Sequence, residues 1–340
     1  MPSVLELFNV KEILNYLSNR QYPALLGENL FPEVKKQSLT FDIIKGAGKV
    51  PVIASVHAFD TEAEIGSREG SKQAMELALV KRKLPMKEQD IIALESPRNA
   101  AEQQYLMKEV YNDIDVLVAG VKARIELMRM DALANGVLTI NENNLNLTID
   151  YQVPDDHKEA LAGTDVWTSP DSDPIGDMER WADALDVKPT RALTSKFVRN
   201  ALLRHPKIIG ALFGRDSMRV PTVSDLNAFM TQHQLPTIAT YDEVYRKQEA
   251  NGTYTRNRYF PANKFVMFGP DILGETIYGP TAEEIRLTRD PNIQTQMIGK
   301  VLAMVYEEGK DPVSTWTKAV ATALPSFPAA DEVFQAQPIE

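Results

Sequence analysis

The residues most able to do chemistry lie in GTDVWTSPDSDPIGDMERWADAL, residues 163–185, where Asp165, Asp171, Asp173 and Asp177 crowd a turn containing Gly and Pro. Carboxylates at that density can bind a divalent cation, work as an acid–base pair, or open a helix. An EF-hand loop needs acids or amides at positions 1, 3 and 5, glycine at 6 and glutamate at 12. Counted from Asp171, Asp173 and Gly176 fit, but Ile175 stands at the fifth position and Ala182 at the twelfth. The helix reading is simpler. Asp173 has the residue type of an N-cap, Pro174 suits the first helical position, and Asp177 faces the positive end of the helix dipole. Ile175, Met178, Trp181 and Leu185 then form one apolar face. A metal-dependent hydrolase built on the aspartates stays as the competing reading.

Other chemistry is sparse. Lys45-Gly-Ala-Gly-Lys49 lacks the upstream glycine of a phosphate-binding loop, and Val50 and Pro51 follow where Ser or Thr is required. No GxSxG elbow occurs. The four histidines, His57, His157, His205 and His233, have no HxH or HxxxH spacing. The absence of cysteine removes disulfides, thiolate metal sites and thiol nucleophiles together. No cofactor and no metal are expected. Asn146-Leu-Thr and Asn251-Gly-Thr match a glycosylation pattern, which means little because MPSVLELFNVKEILN does not read as a signal peptide.

The chain has 340 residues, 44% hydrophobic and 25% charged, with a net charge of -10. That is a globular composition of about two domains' length, with no membrane-spanning run. The acidity argues against extensive gripping of nucleic acid by its phosphates. Charge is uneven: residues 150–186 are acidic, whereas 191–219 carry Arg191, Lys196, Arg199, Arg204, Lys207, Arg215 and Arg219. Such neighbours can bridge subunits or be two solvated faces.

The elements are those of an extended α+β protein. Ser3-Val-Leu-Glu6 fits a capping box and opens an amphipathic N-terminal helix. Irregular chain follows from Gln21 to Phe41. Val50–Ala58 and Met75–Leu84 read as the sides of a long hairpin around a polar, Gly-punctuated tip. Ser96 and Pro97 read as the cap and first residue of a helix that runs to Asn135-Gly136, with Val110, Ile114, Leu117, Val121, Ile125 and Met128 at helical spacing. At about 1.5 Å per residue such a helix spans roughly 55–60 Å. Val137–Ile140 and the alternating Leu145–Val153 predict a second hairpin. Asn251-Gly252 predicts a third, joining Tyr241–Gln248 to Thr253–Tyr259. Lys264–Phe268 and Met297–Tyr306 are further strands. Strands and helices do not alternate as a parallel βαβ sheet requires.

The chain resembles the capsid protein E family, the major capsid proteins of lambda-like tailed phages with the Hong Kong phage capsid fold. The resemblance rests on Gly66-Ser-Arg-Glu-Gly70, on Thr164-Asp-Val-Trp167 with Ser172-Asp-Pro174 and Asp177, and on Phe260-Pro-Ala-Asn-Lys-Phe-Val-Met-Phe-Gly269 leading to Gly274-Glu-Thr-Ile-Tyr278-Gly279. It implies an N-terminal arm (1–38), an extended E-loop hairpin (39–94), a peripheral domain with a spine helix and antiparallel sheet (95–190), an axial domain (191–299) and a return to the peripheral domain (300–340). It implies a non-enzymatic subunit that self-assembles into hexamers and pentamers of an icosahedral virion shell. That shell would form in the host cytoplasm and enclose double-stranded DNA without sequence-specific binding. A scaffolding protein, a portal and a decoration protein are the implied partners, with no membrane. A cellular nanocompartment shell of the same fold is the related alternative. Arg68, Glu69, Lys81 and Arg82 are the expected inter-subunit contacts, and Trp167 and Trp181 the expected apolar anchors.

Overall fold

A computed structural model describes residues 3–45, 71–142, 145–214, 217–249, 251–287, 299–308 and 314–340. The chain divides into two compact units. The first comprises Met1–Phe41, Met75–Glu126 and Glu275–Pro325, the second Asp42–Ala74, Leu127–Gly274 and Ser326–Glu340.

Helix α1 (Val4–Leu7) opens with the expected capping box, Ser3 and Glu6 satisfying each other's backbone N–H. The N-terminal helix is nevertheless broken in two. Asn9 accepts the Glu12 N–H at 2.9 Å and starts α2 (Val10–Asn19) afresh. The segment read as irregular holds a short helix, α3 (Leu26–Leu30), and strand β1 (Glu33–Lys35). Strands β2 (Thr40–Lys45) and β3 (Ser71–Glu76) pair with each other. The run read as Met75–Leu84 is therefore two strands: Leu77 separates β3 from β4 (Ala78–Met86), and β4 joins a different sheet. Val50–Ala58 lies outside the described residues.

Helix α4 (Glu88–Glu95) is the element the sequence reading missed, and it displaces the start of the spine helix. Ser96 closes α4, donating its N–H to Ile92 O at 2.9 Å. The spine helix α5 (Ala100–Asn135) starts behind Asn99, whose Oδ1 accepts the Glu102 N–H at 2.8 Å while Glu102 accepts the Arg98 N–H. Pro97 disfavours helical backbone at Ser96, so α4 stops there, and Asn99 caps the helix that follows. At 36 residues α5 is about 54 Å long. Its buried residues Val110, Ile114, Leu117, Val118, Val121 and Ile125 recur every three or four positions. It ends at Gly136, with φ +67° and with Val153 so close that a Cβ would lie 2.7 Å from it. No other residue type fits both demands.

The sheet of the first unit runs β1, β13 (Glu275–Gly279), β15 (Ser314–Ser326), β14 (Leu302–Glu308), with β4 also on β15. β15 is antiparallel to β14 and β4, while β1 and β13 are parallel. Leu14 of α2 packs on Leu302 and Val320 of this sheet, and α10 (Ala282–Leu287) adds Leu287.

In the second unit the spine helix leads into the hairpin of β5 (Val137–Glu142) and β6 (Leu145–Asp150), paired as the alternation predicted. Its main sheet runs β7 (Lys158–Ala160), β16 (Val333–Gln337), β12 (Phe265–Phe268), β8 (Arg191–Thr194), β9 (Thr237–Thr240). All of β12 is buried, as suits a central strand covered on both faces. Helices α6 (Pro174–Asp183), α7 (Lys196–Arg204), α8 (Pro206–Phe213) and α9 (Val223–Gln232) supply Met178, Val198, Leu202, Ile208, Leu226 and Met230 to its core. Strands β10 (Val244–Gln248) and β11 (Tyr254–Arg258) form the hairpin announced by Asn251-Gly252, with Asn251 Oδ1 accepting the Thr253 N–H at 3.0 Å.

Candidate functional site

The aspartates do not gather. Among the described residues no three His, Asp or Glu side chains converge to hold a metal. Asp173 occupies the N-cap position of α6, yet its side chain makes no capping hydrogen bond. It leans over Gly176, where a Cβ would stand 2.9 Å from its carboxylate. Asp165 and Asp171 are exposed. Asp177 has a structural partner: its Oδ2 accepts the Trp167 indole N–H at 3.0 Å and its Oδ1 accepts from Arg180 at 2.7 Å. Glu159 does the same for Trp181, accepting both its indole N–H and the Arg180 guanidinium. The hydrogen bond to Glu159, then that to Asp177, holds Arg180 above its usual pKa.

Two fully buried tryptophans thus sit in the core with their polar edges satisfied. Trp167 and Trp181 stack at 5.4 Å, Trp181 stacks on Phe334 at 5.4 Å, and Phe265 meets Trp167 edge-on at 5.2 Å. Both tryptophans belong to the core cluster of the second unit. The carboxylates that serve them include Glu159, outside the cluster, because pairing across 22 residues leaves no local signal.

His205 joins the same region to the α7–α8 elbow. It is 2% exposed. Its Nε2 lies 2.9 Å from Ser169 O and 3.1 Å from Ser172 Oγ, and its Nδ1 accepts the Lys207 N–H at 3.2 Å, capping α8. A carbonyl cannot donate, so Nε2 carries the proton and the ring is neutral. Burial first, with Lys207 nearby, pushes its pKa below 6.5 against the opposing pull of the Ser169 carbonyl and Asp173.

Of the expected contact residues, Arg68 and Glu69 lie outside the described residues. Lys81 and Arg82 are exposed on β4, opposite Val320 and Ala319 of β15. They are not idle inside their own unit. The Arg82 side chain approaches Gly120 of the spine helix, where a Cβ would lie 3.9 Å from it. Lys81 acts on Glu283, which also binds Lys318. The next residue, Lys83, lies 3.8 Å above the Trp316 ring and pairs with Glu308 at 3.3 Å. Pro85 and three cations in succession suit a strand with one strand neighbour among the described residues, since they discourage a stray strand from adding there.

A further polar junction fastens the N-terminal segment. Asp115 of the spine helix accepts from Tyr16 at 2.8 Å and Tyr22 at 2.9 Å, and pairs with Arg20 at 2.9 Å. Burial first and then the bond to Asp115 raise the pKa of Tyr22. Glu126 accepts the Gly27 N–H at 2.9 Å, and Lys122 pairs with Glu28 at 3.4 Å. No spacing rule reaches across such separations.

Against known proteins, a family model described as phage major capsid protein E matches residues 9–337. No curated protein matches. A solved protein described as a prophage capsid protein of Escherichia coli is 15% identical, covers 98% of this chain and 99% of its own, and has a TM-score of 0.64. A phage-related protein of Bordetella bronchiseptica is 15% identical, covers 97% and 98%, and has a TM-score of 0.52. An encapsulin of Synechococcus elongatus is 11% identical, covers 97% and 95%, and has a TM-score of 0.39.

Proposed function

Because the chain belongs to the phage major capsid protein E family, we propose that it is the shell subunit of a tailed phage, assembling into hexamers and pentamers that enclose double-stranded DNA. The single observation that carries this reading is the family match across residues 9–337. The family is one of structural shell proteins, not enzymes. The family match favours a virion over a cellular compartment. Among the described residues no helix is long and apolar enough to cross a membrane.

In this proposal residues 1–38 are the N-terminal arm, 39–94 the E-loop, 95–190 the peripheral domain, 191–299 the axial domain and 300–340 the return to the peripheral domain. Arg68, Glu69, Lys81 and Arg82 are contacts of the E-loop with a neighbouring copy. Scaffolding, portal and decoration proteins are proposed partners in a shell put together in the host cytoplasm. A net charge of -10 suits a container that must release what it packs, because steep phosphate attraction would hold the DNA.

Electron microscopy of the expressed full chain, alone and with its neighbouring gene products, tests the proposal. Closed shells or ring-shaped capsomers are expected. A strictly monomeric protein with a divalent-metal-dependent hydrolase activity lost in Asp171→Ala would replace it with the enzyme reading.

A further inference from the structure

The β10–β11 hairpin carries a charge arrangement that its own chain does not complete. Arg246 and Arg256 are direct cross-strand partners, both exposed. Like charges in that position repel and destabilise a strand pair. The other cations of the hairpin have carboxylates: Lys247 pairs with Glu142 at 3.3 Å and Arg258 pairs with Asp242. Among the described residues Arg246 has only the Tyr254 ring, 5.4 Å from its guanidinium, and Arg256 has no partner. Strand alternation puts Arg246, Tyr254 and Arg256 on one face and Lys247, held by Glu142, on the other. Two guanidinium forks and an aromatic ring therefore face outward together. That set recognises carboxylates or phosphates in bidentate fashion.

The same unit carries the complement. Asp165, Asp171, Asp183 and Asp186 are exposed, and their carboxylates form no ion pair among the described residues. Identical subunits in a closed assembly can satisfy each other by heterologous contact, one patch against a different patch on the next copy. A chain of net charge -10 repels a nucleic acid but offers carboxylates to a second copy. We infer that the Arg246–Arg256 face is a self-assembly contact that receives carboxylates from the 165–186 segment of a neighbouring copy. This inference rests on the shell reading above and names a surface for it.

R256E separates assembly from folding. It replaces the repelling pair by an opposite-charge pair across the strands, so the hairpin is retained, while the outward anion site is lost. With purified full-length chain followed by sedimentation, the concentration needed for assembly should rise at least about tenfold, with a thermal midpoint equal to or above wild type. Adding Asp183→Arg and Asp186→Arg to R246E/R256E should recover part of the loss. Assembly of R256E and R246E/R256E at the wild-type concentration and salt midpoint would overturn the inference and leave the shell reading standing. So would wild-type retention of double-stranded DNA that both variants lose, which would assign the face to phosphates. If the wild-type chain forms no assemblies, even with its neighbouring gene products, the shell reading fails and the inference falls with it.

Discussion

Two basic regions of the molecule differ in how their charges are answered. Lys81-Arg82-Lys83 on β4 is the denser run. Its charges are largely answered within the unit: Lys83 by Glu308 and Trp316, Lys81 by the field of Glu283, and Arg82 against the spine helix. Arg246 and Arg256 stand ten positions apart in the sequence, and nothing local couples them. The hairpin sets them directly opposite each other. Charges that find partners at home fix a strand. Charges forced together without partners advertise a surface.

The largest expected effect separates folding from both regions. Trp181→Ala removes a fully buried indole stacked between Trp167 and Phe334, and should cost about 3–5 kcal/mol in urea unfolding. If stability stays within about 1 kcal/mol, the two tryptophans do not anchor this core. Next comes the contrast between the basic regions. Arg82→Glu should raise the assembly concentration less than R246E/R256E does, because part of its role is internal. The reverse order would make β4 the main contact and return the hairpin to a solvated face. A smaller effect is expected from pH. His205 is neutral when folded and its pKa is depressed, so the unfolded chain binds a proton first on acidification. Its contribution is complete above pH 6.5 and is lost as pH falls from there through the depressed folded value. Thermal midpoints should therefore fall more steeply below pH 6.5 in wild type than in His205→Gln. Parallel profiles would remove His205 as the cause. The smallest effect is Lys83→Ala, whose exposed pairing should leave the midpoint within about 2 °C and assembly unchanged.

Elements whose signals are local were legible in the sequence. The capping box at Ser3, the Asn251-Gly252 turn, the alternating β5–β6 strands and the body of the spine helix all depend on residues a few positions apart. Its start lies beyond Ser96-Pro97, a pair with the residue types of a cap and first helical residue that instead ends α4, and Asn99 caps the spine helix. The carboxylate cluster misled for the opposite reason. The residue types fit chemistry, but Asp177 is spent on an indole and its counterpart Glu159 lies far away in sequence. The Asp115 junction was invisible for the same physical cause, whereas the Arg246–Arg256 pairing depends on the exact hairpin register, which the turn signal alone leaves open. Side-chain hydrogen bonds and strand register across long separations are set by the fold, and no periodicity encodes them.

The most direct test of the shell reading is negative-stain electron microscopy of the full chain expressed with its neighbouring gene products. Closed, icosahedrally symmetric particles, or hexameric and pentameric rings that close on concentration, are expected. A uniformly monomeric protein across that range would contradict it.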